Sequence, residues 1–246
     1  MPAAIDYPST GLDTLAALED HHFWFGARRQ ILIDAIARNF PAARTYLELG
    51  AGTGYNARGI AAAFPKLRTV ASDPLSGPLH IDACDVPFEN AYDLIGMYDV
   101  LEHVADDARA LGQIHKALRP DGGLLLTVPQ HPALWSPADA HAQHHRRYTA
   151  RRLTRLLHAA GFEILTHTSF QTTTLPFFAA RALALRLTRR APAPKSPPAL
   201  LNSFFAALMT LDRALIRARI PLPLGASLLI AARKSPRPSE SQGGQT

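Results

Sequence analysis

Residues 46–54 read Tyr-Leu-Glu-Leu-Gly-Ala-Gly-Thr-Gly, an apolar run that passes through one acid into three glycines. Glycine adopts positive φ and has no Cβ, so it allows a tight turn against which a ligand can lie. We therefore predict a buried strand, a ligand-binding turn over residues 50–54 and a helix from Asn56 to Phe64 whose first amides point at the bound group. A plain strand-to-helix connection is the alternative that needs no ligand.

The glycines fit two cofactor classes. Gly52-x-Gly54-x-x-Ala57 matches the dinucleotide fingerprint, but a single match of this kind has low specificity. Glu48-x-Gly50-x-Gly52-x-Gly54 resembles the first motif of class I S-adenosylmethionine-dependent methyltransferases. In that family the turn passes under the amino-acid end of the cofactor and the acid helps to hold it. The resemblance therefore implies a cofactor-binding role for Glu48, Gly50, Ala51, Gly52 and Gly54.

Further matches to this family follow in the family's order. The strand 68–72 ends in Asp73, where a second-strand carboxylate would reach ribose hydroxyls. Asp82 and Ala83 resemble the acid-Ala pair that contacts the adenine, although Val86 stands where the family has leucine. Residues 92–104 resemble the fourth strand and its exit, which places Asp99 among the cofactor-binding residues, and residues 118–123 resemble the turn into the fifth strand. This order favours a methyltransferase over a dehydrogenase.

The pattern of strands and helices predicts an α/β protein with a Rossmann-like, mostly parallel seven-stranded sheet covered on both faces. The strands are expected near 44–49, 68–73, 79–82, 92–98, 123–128, 163–168 and 227–233, and helices at 12–19, 106–118 and 150–160. A further helix is expected to follow the aromatic cluster 21–29 and to run through Phe40. The predicted organisation is an N-terminal helical cap (1–43), a cofactor-binding core (44–168), a helical insertion (169–226), the last strand (227–234) and a disordered tail (235–246).

Composition narrows the compartment and the partners. The 246 residues contain one cysteine, Cys84, which excludes an internal disulfide. The first 14 residues lack the features of a signal peptide, and no run reaches the ~18 apolar residues of a membrane span. We expect a cytoplasmic protein, with the option of peripheral contact on the inner membrane face.

The C-terminal part is strongly basic. Residues 1–145 carry 10 basic and 17 acidic side chains, whereas residues 146–246 carry 16 and 3. A basic half suits nucleic acid, an anionic membrane or an anionic substrate, and a solvated basic surface is the alternative without a partner. Because its arginines lie opposite apolar helix faces and are not interleaved with aromatics, we do not expect nucleic acid as a partner.

The insertion shows helical periodicity on either side of a Pro-rich segment, Arg190 to Pro198, that we expect to be mobile. Its second helix places Leu201, Phe204, Phe205, Leu208, Leu211 and Leu215 on one face. Residues 175–219 are therefore interpreted as a substrate lid or a membrane contact, with packing on the main domain as the alternative. In the membrane interpretation the arginines that meet the headgroups are Arg181, Arg186, Arg189, Arg190, Arg213, Arg217 and Arg219.

The candidate catalytic residues follow the fifth strand, at the carboxyl edge of the sheet. His144 and His131 are candidate bases, with Asp139 to orient one of them. Asp99, Glu102 and His103 resemble the Glu-x-x-Glu-His of certain metal-dependent methyltransferases, so a divalent metal is a second option. The expected function is S-adenosylmethionine-dependent methyl transfer to a small-molecule, lipid or glycan-intermediate acceptor. The alternative is a catalytically inactive protein of the same fold that binds a membrane surface.

Overall fold

The computed structural model describes residues 15–189 and 197–235. Its helices are α1 (Phe23–Asn39), α2 (Tyr55–Ala63), α3 (Asp107–Ala117), α4 (Pro137–His141), α5 (Ala150–Ala159), α6 (Leu175–Thr188) and α7 (Ala199–Arg217). Residues 15–19 are also helical, and short 3-10 helices lie at Leu101–His103 and Pro132–Leu134. The strands are β1 (Thr45–Leu49), β2 (Arg68–Ser72), β3 (Tyr92–Tyr98), β4 (Leu118–Pro129), β5 (Phe162–Phe170) and β6 (Ser227–Lys234).

The six strands form one sheet in the order β2-β1-β3-β4-β6-β5. Strands β1 to β4 pair in parallel, and β6 lies antiparallel between β4 and β5. The expected α/β class and mostly parallel sheet are therefore confirmed. The chain order reverses at β1, so the carboxyl ends of β1 and β3 flank the crevice in which such sheets bind ligands.

The predicted strand at 79–82 is wrong, and the described residues hold six strands rather than seven. This segment forms only an isolated bridge between Asp82 and Asp85, plus one hydrogen bond from the Asp73 amide to the Leu79 carbonyl (3.1 Å). Pro74 and Pro78 lack the amide donor that a ladder requires, which limits pairing along this edge.

Helices cover both faces of the sheet and enclose two apolar clusters. The first cluster packs α3 and α5 on one face through residues such as Leu111, Ile114 and Leu153. The second packs α1, α2 and α7 on the other face through residues such as Ile31, Ile60 and Met209. The N-terminal and insertion helices are thus parts of the same layered body.

Helix α1 contains the aromatic residues that we expected to precede it. It begins at Phe23, because the His22 side chain accepts a hydrogen bond from the Trp24 amide (3.2 Å) and caps the helix. Trp24 then stacks on Phe170 of β5 with ring centroids 5.4 Å apart. The sequence prediction erred because a histidine cap is a weak start signal.

The insertion forms two helices, as its periodicity predicts, and α7 is tied to α1 by polar contacts. Arg213 donates to the Asp34 carboxylate (2.6 and 3.0 Å), and Arg38 donates to the carbonyls of Ile216 (3.0 Å) and Arg217 (2.8 Å). By length and composition alone, α7 could cross a membrane, and little of it is buried. The predicted domain boundaries stay a prediction, and the predicted mobile segment and disordered tail lie almost entirely outside the described residues.

Candidate functional site

The turn after β1 depends on left-handed backbone. Gly50, Gly52 and Gly54 have φ values of 71°, 54° and 78°. The Ala51 amide donates to the Ser72 carbonyl of β2 (2.9 Å), which holds the turn against the neighbouring strand. Helix α2 then begins at Tyr55 without a side-chain cap, so its first amides are available to an anionic group.

A close approach explains why Gly50 cannot carry a side chain. A Cβ placed on Gly50 would lie 2.4 Å from Val100 Cγ2 and 2.8 Å from Cγ1. The turn therefore packs directly against the chain that leaves β3. This contact brings the exits of β1 and β3 together, as the crevice requires.

Asp73 follows β2 and supports the same turn. Its Oδ2 accepts a hydrogen bond from the Gly52 amide (2.9 Å) and its Oδ1 accepts one from the Leu75 amide (2.9 Å). Each carboxylate oxygen keeps lone-pair capacity for a hydroxyl donor. The position agrees with the ribose-binding role implied by the sequence, which stays a prediction.

Glu48 lies on β1, directly before the turn, and its side chain is buried. It is 1% exposed and accepts a hydrogen bond from Tyr46 Oη (3.2 Å), and Tyr46 Oη lies 3.0 Å from Tyr98 Oη. Burial raises the pKa of Glu48 to about 7. The direct contact between Glu48 and a cofactor that the sequence implies stays a prediction.

Asp82 and Ala83 lie in the irregular segment that replaces the expected strand. Asp82 Oδ1 accepts a hydrogen bond from the Cys84 amide (2.7 Å), and Ala83 is buried in the first apolar cluster. The Asp73–Leu79 hydrogen bond returns this segment to the end of β2. Asp82 and Ala83 therefore follow within four residues of Leu79, the residue that contacts Asp73. Their adenine-binding role stays a prediction.

Asp99 follows β3 with a left-handed backbone (φ 55°) and forms an ion pair with Arg28 of α1. Its Oδ1 accepts a second hydrogen bond from Thr127 Oγ1 (3.1 Å). The Arg28 guanidinium also lies 5.5 Å from the centre of the Trp24 ring. Helix α1 therefore reaches the crevice and neutralises the carboxylate there.

A cavity of about 280 Å³ opens beside Asp99 at the carboxyl edge of the sheet. Its wall combines apolar, acidic and basic side chains from α1, the β3 exit, the segment after β4 and α6. They include Trp24, Asp99, Glu102, His103, Leu134, Asp139, His144, Arg147, Phe178 and Arg181. A mixed lining of this kind suits an acceptor with both polar and apolar parts.

His144 and Asp139, two of the predicted catalytic residues, meet on the wall of this cavity. His144 Nδ1 lies 3.1 Å from Asp139 Oδ1, which also accepts a hydrogen bond from Arg147 Nε (2.7 Å). Asp139 is 2% exposed. Burial alone would raise the pKa of Asp139, but the hydrogen bonds from His144 and Arg147 hold it below its ordinary value. The carboxylate is therefore ionised at neutral pH and orients the imidazole.

His131 does not line this cavity. Its amide donates to the Tyr148 carbonyl (2.9 Å), and its Nε2 is buried without a hydrogen-bond partner. Burial and the nearby Arg147 lower the pKa of His131. The structure thus places His144, rather than His131, beside the orienting carboxylate.

Glu102, His103 and His144 form a second cluster on the same wall, with one donor atom of each within 4.8 Å of the others. The Glu102 Oε2 atom is buried without a hydrogen-bond partner. Burial and the nearby Asp99 raise the pKa of Glu102 well above its ordinary value, whereas burial and His144 lower the pKa of His103 to about 4. These three groups could hold a divalent cation, while Asp99, the remaining member of the predicted set, is already paired with Arg28.

Sequence reasoning did not assign three residues that shape the site. Arg28 pairs with Asp99, whereas Trp24 and Arg181 line the cavity. Arg28 and Trp24 lie in the aromatic cluster 21–29, and the arginines that end this cluster, Arg28 and Arg29, are a signal that could have suggested a cation beside an aromatic ring. The sequence offered no such signal for Arg181, which is one of several arginines on the insertion.

The fold and site define a class of protein, an α/β enzyme with a glycine turn at the switch point of a mostly parallel sheet. Comparisons with known proteins agree with this class. A family model described as a methyltransferase domain matches residues 24–167. The chain is 30% identical over 178 residues to a probable S-adenosylmethionine-dependent methyltransferase of Mycolicibacterium smegmatis, covering 67% of this chain and 68% of the relative.

Two further comparisons agree with this result, the second of them for the fold alone. A probable S-adenosylmethionine-dependent methyltransferase of Mycobacterium tuberculosis is 29% identical over 167 residues, covering 62% of this chain and 60% of the relative. The solved structure of Haemonchus contortus phosphoethanolamine N-methyltransferase 2 with S-adenosyl-L-methionine has a TM-score of 0.61 at 18% identity, covering 94% of this chain and 58% of that chain. The chain therefore belongs to the S-adenosylmethionine-dependent methyltransferases, as its motifs predict, and nothing in the described site favours the inactive alternative.

Proposed function

We propose that the protein methylates a hydroxyl group on an amphipathic small-molecule or lipid-linked acceptor that binds in the 280 Å³ cavity. The observation that supports this proposal is the His144–Asp139 pair on the cavity wall. A hydroxyl is a poor nucleophile until a base removes its proton, and a histidine oriented by a carboxylate is a recurrent solution. Among the expected small-molecule, lipid and glycan acceptors, we favour an amphipathic small molecule or lipid, because the cavity lining combines apolar and charged side chains.

The residues around the glycine turn fit the cofactor of this family. Gly50, Gly52 and Gly54 form a cradle whose left-handed backbone excludes side chains, and the uncapped start of α2 suits a carboxylate. Asp73 offers carboxylate oxygens to hydroxyl groups. When bound, S-adenosylmethionine supplies an activated methyl group.

The proposed catalytic work of the chain is to position the acceptor and remove its proton. Because the ionised Asp139 accepts a hydrogen bond from Nδ1 of His144, the neutral imidazole has its lone pair on Nε2, which can accept the proton of the acceptor hydroxyl. The resulting imidazolium is stabilised by the same carboxylate. Arg147 holds Asp139 from its other side, which fixes the orientation of the pair.

A metal-assisted reaction is the second candidate, because Glu102, His103 and His144 bring their donor atoms within 4.8 Å of one another. The His144–Asp139 hydrogen bond is also typical of a metal-bound histidine, whose second nitrogen donates to a carboxylate. A cation here would lower the pKa of the acceptor hydroxyl, and His144 would then be a ligand and not the base.

The experiment compares methyl transfer by wild type, His144→Asn and His131→Asn. Extracts from a strain that lacks the gene serve as acceptor, and tritium-labelled S-adenosylmethionine serves as donor. We expect His144→Asn to lower the rate by about 10²- to 10⁴-fold, the range for loss of a general base, and to leave calorimetric cofactor binding intact. His131→Asn is the matched control and should retain the rate. Equal losses in the two variants would contradict the assignment.

A second arm separates the base from the metal. Exhaustive EDTA treatment should leave the rate unchanged if His144 acts as a base. A loss that Mg²⁺ or Mn²⁺ restores would instead support the metal-assisted reaction.

A further inference from the structure

Helices α6 and α7 expose seven large apolar side chains. Leu187 is 77% exposed and Leu200 is 86% exposed, and the other exposed members are Phe177, Leu183, Leu201, Phe204 and Leu211. We call these seven residues the hairpin surface. The rings of Phe177 and Phe204, 6.0 Å apart, join the α6 part to the α7 part. Soluble proteins rarely expose apolar patches of this kind unless something covers them.

From this surface and the charges around it, we propose that the hairpin surface is a membrane-contact surface for anionic lipids. Residues 175–219 contain a single acid, Asp212, which is fully buried and accepts hydrogen bonds from the amides of Thr172 (2.7 Å) and Thr173 (3.1 Å). Exposed Arg189, Arg217 and Arg219 have no carboxylate within 4.0 Å among the described residues. Apolar side chains flanked by unpaired cations fit the interface of an anionic bilayer.

The structure reduces the set of arginines expected from sequence. Arg213 is engaged by Asp34, and Arg186 donates to the carbonyls of Trp135 (2.6 Å) and Ala133. Arg181 lines the cavity. Among the described arginines of the insertion, the cations left for headgroups are therefore those at positions 189, 217 and 219.

The surface fits a helix pair that lies on a membrane rather than one that spans it. Asn202 of α7 accepts a hydrogen bond from the Phe23 amide (2.9 Å), and Arg213 pairs with Asp34 of α1. These contacts fix α7 to the globular body along most of its length. A bilayer can thus be reached only by the outward face, at the depth of the headgroups.

A second copy of this chain fits the surface less well. A symmetric dimer through the hairpin surface would place two copies of Arg189, Arg217 and Arg219 at one interface. With no free acid on the insertion to balance them, the like charges would repel.

Helix α6 also connects this surface to the cavity. Phe178 and Ala182 line the cavity from one side of the helix, whereas Leu183 and Leu187 are exposed on another side. A membrane on the hairpin surface would place lipid next to the cavity wall. The proposal does not depend on the acceptor chemistry, because vesicle binding is measured without catalysis.

The test is flotation of the full chain with phosphatidylcholine vesicles, with and without phosphatidylglycerol. We expect binding only to the anionic vesicles and a loss of binding as salt rises. Arg217→Gln/Arg219→Gln should weaken the partition about 25-fold, at about fivefold per cation. The matched control, Arg151→Gln/Arg155→Gln, removes two exposed cations from α5 on the opposite face of the sheet and should change little.

An apolar variant completes the test. Leu200→Asp/Leu211→Asp should abolish flotation, whereas Leu75→Asp, at an exposed leucine outside the insertion, should not. Equal binding to neutral and anionic vesicles, or no binding to either, would overturn the proposal. So would sedimentation equilibrium that shows a dimer dissociated by Leu200→Asp/Leu211→Asp. If Leu200→Asp/Leu211→Asp fails to fold, the flotation of Arg217→Gln/Arg219→Gln tests the proposal instead. Both arginines are exposed, so we expect this variant to fold.

Discussion

Replacing Gly50 by alanine perturbs the glycine turn at a position where two separate costs can be measured. The backbone φ of 71° is left-handed, which costs an L-residue about 1–2 kcal/mol. The new Cβ would also lie 2.4 Å from Val100 Cγ2, and overpacking of this kind costs about 1–3 kcal/mol. We therefore expect Gly50→Ala to lower the free energy of unfolding by about 2–5 kcal/mol.

Gly77→Ala is the matched control because Gly77 has a φ of 78°, but a Cβ placed on it would meet nothing within 4 Å. It should show only the backbone cost, about 1–2 kcal/mol. The double variant Gly50→Ala/Val100→Ala should recover the steric part, which a double-mutant cycle measures as a coupling between the two positions.

Urea unfolding gives the stabilities, and calorimetry with S-adenosylmethionine gives the affinities. The affinity should fall for Gly50→Ala, because the displaced turn no longer fits the cofactor, and stay unchanged for Gly77→Ala. If Gly50→Ala is no more destabilising than Gly77→Ala, or if the cycle shows no coupling, the contact between the turn and the β3 exit is not the constraint we infer.

Three further predictions concern carboxylates. Asp139→Asn should lower the unfolding free energy by about 3 kcal/mol at pH 7. Because the pKa of folded Asp139 lies below its ordinary value of 3.8, this stabilisation is present above pH 3.8 and is lost as pH falls through the folded pKa. The gap between wild type and variant in unfolding titrations should therefore shrink in acid. Arg28→Met should leave Asp99 unpaired and lower the thermal midpoint, whereas Arg28→Met/Asp99→Asn recovers part of the loss. Asp73→Ala should weaken cofactor binding by about 1.5–3 kcal/mol in calorimetry, with Asp73→Asn closer to wild type.

The strand, glycine turn and helix at residues 45–63 could be predicted from sequence because their determinants are local. A buried strand followed by three glycines restricts the backbone to a tight turn into a helix. In the structure α2 begins at Tyr55, one residue before the predicted start. The same reasoning was wrong at 79–82, where the residues are apolar enough for a strand. Pro74 and Pro78 have no backbone N–H to donate to a neighbouring strand, which limits the pairing there. A prediction from the hydrophobic pattern alone does not take this missing donor into account.

The lining of the cavity was harder to predict because it depends on contacts between distant segments. Asp139 and His144 are five residues apart, so their contact could be proposed from sequence. His131 is the same residue type on the same loop, yet it lies outside the cavity. The Arg28–Asp99 pair joins residues 71 positions apart, and no periodicity in either segment indicates it.

The insertion shows what periodicity can and cannot tell. Helical spacing predicts an apolar face and an arginine-bearing face. It does not predict which elements pack against either face, and therefore does not show whether a face is buried or exposed. Helix α7 turns Met209 and Asp212 inward and leaves Leu200 and Leu211 outside, so part of the apolar stripe lies in solvent. Arg213, which the spacing places on the polar face, pairs with Asp34 of α1 instead. The rotation of a helix about its own axis is set by its packing partners, so sequence alone could not choose between a packed helix and a membrane contact. In the structure one side of α7 packs on the globular body, and its other side carries the apolar residues for which we propose a membrane contact.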